Sequence, residues 1–265
     1  MSPAKKRART YDSVKIRAAV TAQFGYVLEG VRGLTAEQFA LPTRLGEWTV
    51  RELVAHIGMC VDVVPRLIAL PAPPKPGITV LDWAFGTAAN ASALSDLAHE
   101  LAARDTDPAA ALAATAESLA AALAETPGPR VLDFRTGAIT LADFLVTRTV
   151  ELVVHTDDLN AAVPGLGIPY DRQALAACTR LLADALAAKA PGGSTEVRIP
   201  PYAVVQCVEG LRHTRGTPPN VVETDPLTWI RLATGRVAWR DAVAEAQVSA
   251  SGERADLGAL LPVMS

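Results

Sequence analysis

Apolar residues recur along the first two thirds of the chain at three- and four-residue intervals, the period of helices buried on one side. Residues 11 to 32 carry such a stripe in Val14, Ala18, Val20, Ala22, Phe24, Val27, Leu28 and Val31, with Gly33 placed to end it. Thr35 and Gln38 have capping-box spacing, which predicts a short helix before Pro42. A second box, Thr49 with Glu52, opens a helix expected to reach about Leu70 and to be kinked or shortened at Pro65. The run PAPPKPG at 71–77 ends it in a stiff, extended connection. Alanine-rich stretches at 79–103 and 108–125 read as two more helices, the second started by Asp107-Pro108. Residues 126–139 read as a loop with a short extended piece. Residues 140–162 read as one long helix and 171–189 as another.

Beyond APGGST the pattern changes. Residues 196–200, 203–211 and 220–224 are short, rich in Val and Ile, and partly alternating, as strands are. DPLTWIRLATG then predicts a helix capped by Asp225 with Pro226 in its first turn, closed at Gly235. A helix over 238–245, a strand at QVSASG and a last short helix in ERADLGALLPVM complete the expectation. The fold class is thus an all-helical, four-helix bundle over residues 10–165, followed by a small α+β domain over 168–265. The helix at 171–189 could belong to either part.

Composition narrows the function. Half of the 265 residues are hydrophobic and only 5% aromatic, so the core is built from Ala, Leu and Val. A net charge of −3 and a pI near 5.8 give no electrostatic case for nucleic acid. Only AKKRAR at 4–9 is basic, read as a solvated tail. No apolar run approaches the ~20 residues that span a bilayer, and no signal-peptide core follows the N-terminus. The expected location is the cytoplasm. Cys60, Cys178 and Cys207 are odd in number and far apart, so each reads as a small buried hydrophobe rather than part of a disulfide framework.

The long helix at 140–162 carries Glu151 and His155. Four residues advance a helix by about 400°, so both side chains point the same way, one turn apart. Their neighbours Leu145, Val150, Leu152, Val153, Val154 and Leu159 are apolar, and burying a carboxylate and an imidazole is costly unless something pairs with them. A divalent metal would pair with both, with His56 of WTVRELVAHIGMCVDVV as third ligand. Two histidines and a glutamate suit zinc with one position left open, and equally iron, manganese or nickel. Spacing alone does not separate this from a hydrogen-bonded Glu–His pair beside an ordinary half-buried histidine. Asp157 and Asp158 either orient an imidazole or sit solvated at the helix end. His99 reads as a surface residue and His213 as a loop residue beside two arginines.

The stretch Gly46-Glu47-Trp48-Thr49-Val50-Arg51-Glu52-Leu53-Val54-Ala55-His56 resembles the Trp-to-His helix of DinB-like bundles, and specifically that of the mycothiol-dependent maleylpyruvate isomerase family of actinobacteria. Glu151-Leu-Val-Val-His155 matches that family's later Glu-x-x-x-His pair in order and separation, so the resemblance covers about residues 12–165. The run from Asp225 to Arg236, followed by Ala242 to Leu257, resembles the closing half of a sterol-carrier-protein-like domain, with Ala246 standing where that pattern has Gly.

The resemblance implies a divalent metal, zinc foremost, on His56, Glu151 and His155, and mycothiol as thiol co-substrate. A metal-activated thiol would attack a conjugated keto-acid for cis–trans isomerisation, or another electrophile for thiol transfer. It also implies an arginine from the C-terminal domain as substrate anchor. Arg212, Arg215, Arg231, Arg236 and Arg240 are available, each read as a surface residue, and none is singled out. The competing expectation is a non-catalytic carrier with an apolar ligand in the C-terminal domain.

Overall fold

Asp12, Thr35, Thr49, Thr79, Asp107 and Thr140 each accept a backbone N–H bond at the start of a helix. The helices of the first part are α1 (Ser13–Arg32), α2 (Ala36–Phe39), α3 (Val50–Ala69), α4 (Val80–Phe85), α5 (Ala91–Arg104), α6 (Pro108–Glu125) and α7 (Leu141–Ala162). The structure is a computed structural model and describes residues 9–87, 91–126, 129–210 and 218–264. Helices α1, α3, α6 and α7 pack into the bundle, with α5 laid against α3. β1 (Val131–Phe134) and β2 (Gly137–Thr140) form a hairpin that leads straight into α7.

The second part opens with α8 (Arg172–Lys189), capped by Asp171. Then come β3 (Thr195–Ile199), β4 (Ala203–Cys207), β5 (Val221–Thr224), α9 (Pro226–Ala233), α10 (Trp239–Ala244) and β6 (Val248–Ser251). The sheet order is β4-β3-β5-β6, with β3 and β5 parallel and the outer pairs antiparallel. β3 alternates buried Thr195, Val197 and Ile199 with half-buried Glu196 and Arg198, so one face meets the core. Helix α8 touches α1 and α7 on one side and β4 and α9 on the other, so it serves both parts of the chain. No helix among the described residues is long and apolar enough to cross a membrane.

Several expectations are corrected. The stretch at 79–103 is not one helix: α4 stops at Phe85, where the Gly86 N–H bonds back to Trp83 O, and α5 begins at Ala91. Helix α3 is not shortened at Pro65 but runs on to Ala69, because the apolar face from Val50 to Leu67 keeps it docked despite one missing N–H. The α1 stripe lies on Ile16, Ala19, Val20, Phe24, Val27, Leu28 and Val31. Val14 and Ala18 face solvent, since six and two residues back from Val20 lie about 120° and about 160° off its face. The closing helix reduces to one 3-10 turn, Gly258–Leu260, held by Asp256 accepting from the Gly258 N–H and cut off by Pro262. Strand β4 ends at Cys207. Residues 211–217, with His213, Arg212 and Arg215, and residues 4–8 of the basic run lie outside the described residues. Arg9, the last residue of that run, is exposed and pairs with Asp184 at 2.7 Å.

Candidate metal centre

Helix α7 is enclosed on all sides: 16 of its 22 residues are buried. A helix so placed needs every polar group satisfied from its surroundings. The hydroxyls of Thr147, Thr149 and Thr156 bond back to carbonyls of the preceding turn, at 2.6, 2.7 and 2.6 Å. Arg148 is buried, with Nη1 donating to Cys60 O at 3.1 Å and its guanidinium over the Phe144 ring at 4.6 Å.

The structure brings the three sequence-predicted residues together. Glu151 Oε2 lies 3.3 Å from His155 Nε2 and 3.7 Å from His56 Nε2, and the two imidazoles meet edge-on with centroids 4.8 Å apart. Trp48 packs on His56 at 5.0 Å between centroids, held by its Nε1–H donating to Ser95 Oγ at 2.9 Å. Both histidines are buried, and Glu151 is the most accessible of the three. His99 is a surface residue, 3.8 Å from Glu52.

A fourth group stands beside them. Cys60 Sγ lies 3.3 Å from His56 Nε2, and one donor atom each from His56, Cys60 and Glu151 fall within 4.8 Å of one another. Cys178 and Cys207 are buried in the apolar core as expected, and burial pushes the Cys207 thiol up to about 11. Cys60 departs from the small-hydrophobe reading. The signal was in the sequence: Cys60 stands four residues after His56, as His155 does after Glu151, so each helix presents two donors one turn apart.

Asp157 and Asp158 are fully buried, which overturns the solvated reading. Asp158 accepts the His155 Nδ1–H at 2.9 Å, Arg44 Nε at 2.6 Å and Arg236 Nη2 at 3.0 Å. Asp157 accepts from Arg44 at 2.5 Å, from Arg231 Nη2 at 2.6 Å and from the Tyr170 hydroxyl at 3.1 Å. Arg231 and Arg236 are therefore not free surface residues, whereas Arg240 is 91% exposed. Burial alone would raise both aspartates, but these cationic donors outweigh it and hold them below the ordinary carboxylate range. Burial likewise opposes the charged forms of Glu151 and His56. The bonds from His155 and His56 nonetheless drive Glu151 well below its usual value, and the charge and bond of Cys60, with Glu151, push His56 up to about 10.

The donor set is one a cation fits. His155 gives its Nδ1 proton to Asp158, so in the neutral ring the Nε2 lone pair faces Glu151 Oε2, acceptor against acceptor. His56 Nε2 faces the same oxygen, and only protons or a metal can hold such a group together. Bonds of about 2.0–2.3 Å in a tetrahedral zinc site place neighbouring ligand atoms about 3.3–3.6 Å apart. The His56–Cys60, His155–Glu151 and His56–Glu151 separations of 3.3, 3.3 and 3.7 Å lie at or close to those edges, and the donor atoms of His56, Cys60 and Glu151 spread over no more than 4.8 Å.

A family model for the mycothiol maleylpyruvate isomerase N-terminal domain matches residues 20–160, and one for a bacterial SCP ortholog matches residues 171–263. Among solved structures, the chain is similar to the mycothiol-dependent maleylpyruvate isomerase and to a histidine-to-alanine mutant of that protein. Each gives a TM-score of 0.59 at 14% identity, covering 93% of this chain and 95% of the other. No curated protein sequence matches the chain significantly.

Proposed function

The chain belongs to the mycothiol maleylpyruvate isomerase N-terminal domain family, carries an SCP-like domain behind it, and on that premise we propose that it is a metal- and thiol-dependent enzyme. His56, Glu151 and His155 are the proposed metal ligands, zinc the proposed metal, and mycothiol the co-substrate. The division of labour runs between a metal-binding bundle over 10–165 and an SCP-like domain over 168–265. The observation that carries the reading is the convergence of both Nε2 atoms on Glu151 Oε2 at 3.3 and 3.7 Å in a buried setting.

A bound divalent cation would supply the Lewis acidity that lowers a thiol's pKa and delivers thiolate at neutral pH. The residues around it do the rest. Asp158 fixes the tautomer and aim of His155, and Arg44 with Arg236 fixes Asp158, so an arginine of the SCP-like domain helps to orient a ligand of the bundle. Trp48 covers His56 and excludes water from that side. Thiolate attack on a conjugated keto-acid forms a C–S bond and moves an electron pair onto the carbonyl. Rotation about the former double bond and loss of the thiolate then return the isomer and the thiol. Attack on a carbon bearing a leaving group gives thiol transfer by the same opening step.

The test is elemental analysis of the purified protein, followed by incubation with mycothiol and a panel of cis keto-acids and alkylating electrophiles. Stoichiometric metal lost in His56→Ala, with mycothiol-dependent turnover of one class, is expected. A metal-free wild type carrying co-purified lipid would replace the enzyme reading with that of a carrier.

A further inference from the structure

We propose that Cys60 is a fourth protein ligand of this centre, so that the resting site is closed by a sulfur from the chain itself. The inference rests on the metal reading above and concerns a residue outside its His/Glu/His set. Three observations carry it. Cys60 Sγ lies 3.3 Å from His56 Nε2, slightly inside the roughly 3.5 Å sulfur–nitrogen edge of a tetrahedral zinc site, and its helix position mirrors that of His155 on the facing helix. The turn bearing it is anchored to α7, because its carbonyl accepts from the buried Arg148 Nη1 at 3.1 Å, and Arg148 Nη2 lies 3.8 Å from Glu151 Oε1.

Charge supplies the third. A divalent cation with Glu151 and two neutral imidazoles leaves one net positive charge, and Arg148 adds another in the same buried volume. Two uncompensated charges away from water are costly. A Cys60 thiolate, a preferred ligand of zinc, removes one of them. The sulfur position offered to an external thiol is then already held, which places Cys60 in competition with the co-substrate rather than in the apolar core.

The experiment is cobalt(II) substitution of the full-length protein, read by the near-ultraviolet thiolate-to-cobalt charge-transfer band and by metal stoichiometry, with circular dichroism as the folding control. The wild type is expected to bind one equivalent and show the band. Cys60→Ser is expected to lose the band yet still bind cobalt, at least about tenfold more weakly, while Cys178→Ser keeps it. Stoichiometric cobalt without the band in the wild type would overturn Cys60 ligation and leave the His/Glu centre standing. A band surviving in Cys60→Ser would also overturn it. Failure of the wild type to bind cobalt would overturn both readings, and because the decisive spectrum is that of the wild type, a poorly folding variant does not blunt the test.

Discussion

Replacing Asp158 by Asn keeps the shape of the side chain and removes its charge. The carboxylate is completely buried and accepts from His155, Arg44 and Arg236, so the change leaves two guanidinium groups facing an amide. Removing one partner of a buried pair costs about 3–5 kcal/mol. Two features reduce this. Arg44 and Arg236 retain 28% and 17% of their side-chain exposure, so water takes up part of their charge, and Arg44 keeps its bond to Asp157. A loss of roughly 2–4 kcal/mol is expected, or about 5–12 °C in Tm for a chain of this size. The amide also holds the His155 Nδ1–H less strongly, and metal affinity is expected to fall about 10- to 100-fold. Urea unfolding gives the first quantity and chelator competition the second. A double-mutant cycle with Arg236→Gln should return a coupling of about 1–3 kcal/mol, since the groups are in contact. Stability within about 0.5 kcal/mol of wild type, with unchanged metal affinity, would refute the argument that this carboxylate ties the two parts of the chain to the site.

Two backbone positions give independent tests. Ala246 stands at φ 55°, the left-handed region where a Cβ is strained, which explains why Gly occupies that position in the resembled pattern. Ala246→Gly is expected to gain about 0.5–1 kcal/mol, the strain relieved exceeding the added freedom of glycine in the unfolded chain, and a Tm that falls would count against it. Gly192 approaches the backbone just after β4 so closely that a Cβ would sit 1.9 Å from Val208 O. Gly192→Ala therefore has to push the end of the sheet open and should cost at least about 2 kcal/mol in chemical denaturation, an outcome that a neutral variant would contradict.

What could be read from the sequence was whatever repeats locally. Glu151 and His155 are one turn apart on a single helix, and His56 is marked by the Trp48 context, so the three could be named before their separation was known. Caps legible as Thr49 with Glu52, Asp107 with Pro108, and Asp225 with Pro226 all open helices. Cys60 and Arg148 were equally legible, four residues from His56 and three from Glu151, but a cysteine flanked by Met59 and Val61 reads as core until a facing helix is in place. The break after Phe85 was hidden by alanine and leucine on both sides of Gly86, where helix propensity outweighs one glycine.

The pairing of Asp157 with Arg231 and of Asp158 with Arg236 had no local signature at all, because the partners are 74 and 78 residues apart. Yet the need for such partners follows from burial. Two adjacent carboxylates at the end of an enclosed helix repel each other and lose hydration, so both remain charged only if cations come to them. Within the bundle, Arg44 reaches both, and among the described residues the remaining cations against them come from α9 and the turn after it. One positive charge does not offset two buried negative ones; Arg231 and Arg236 more than make up the difference, and the His155 Nδ1–H adds a further donor to Asp158. The aspartate that orients His155 is thus held from both sides, by Arg44 of the bundle and by Arg236 of the SCP-like part. In this chain the second domain is a component of the site's geometry, whatever else it carries.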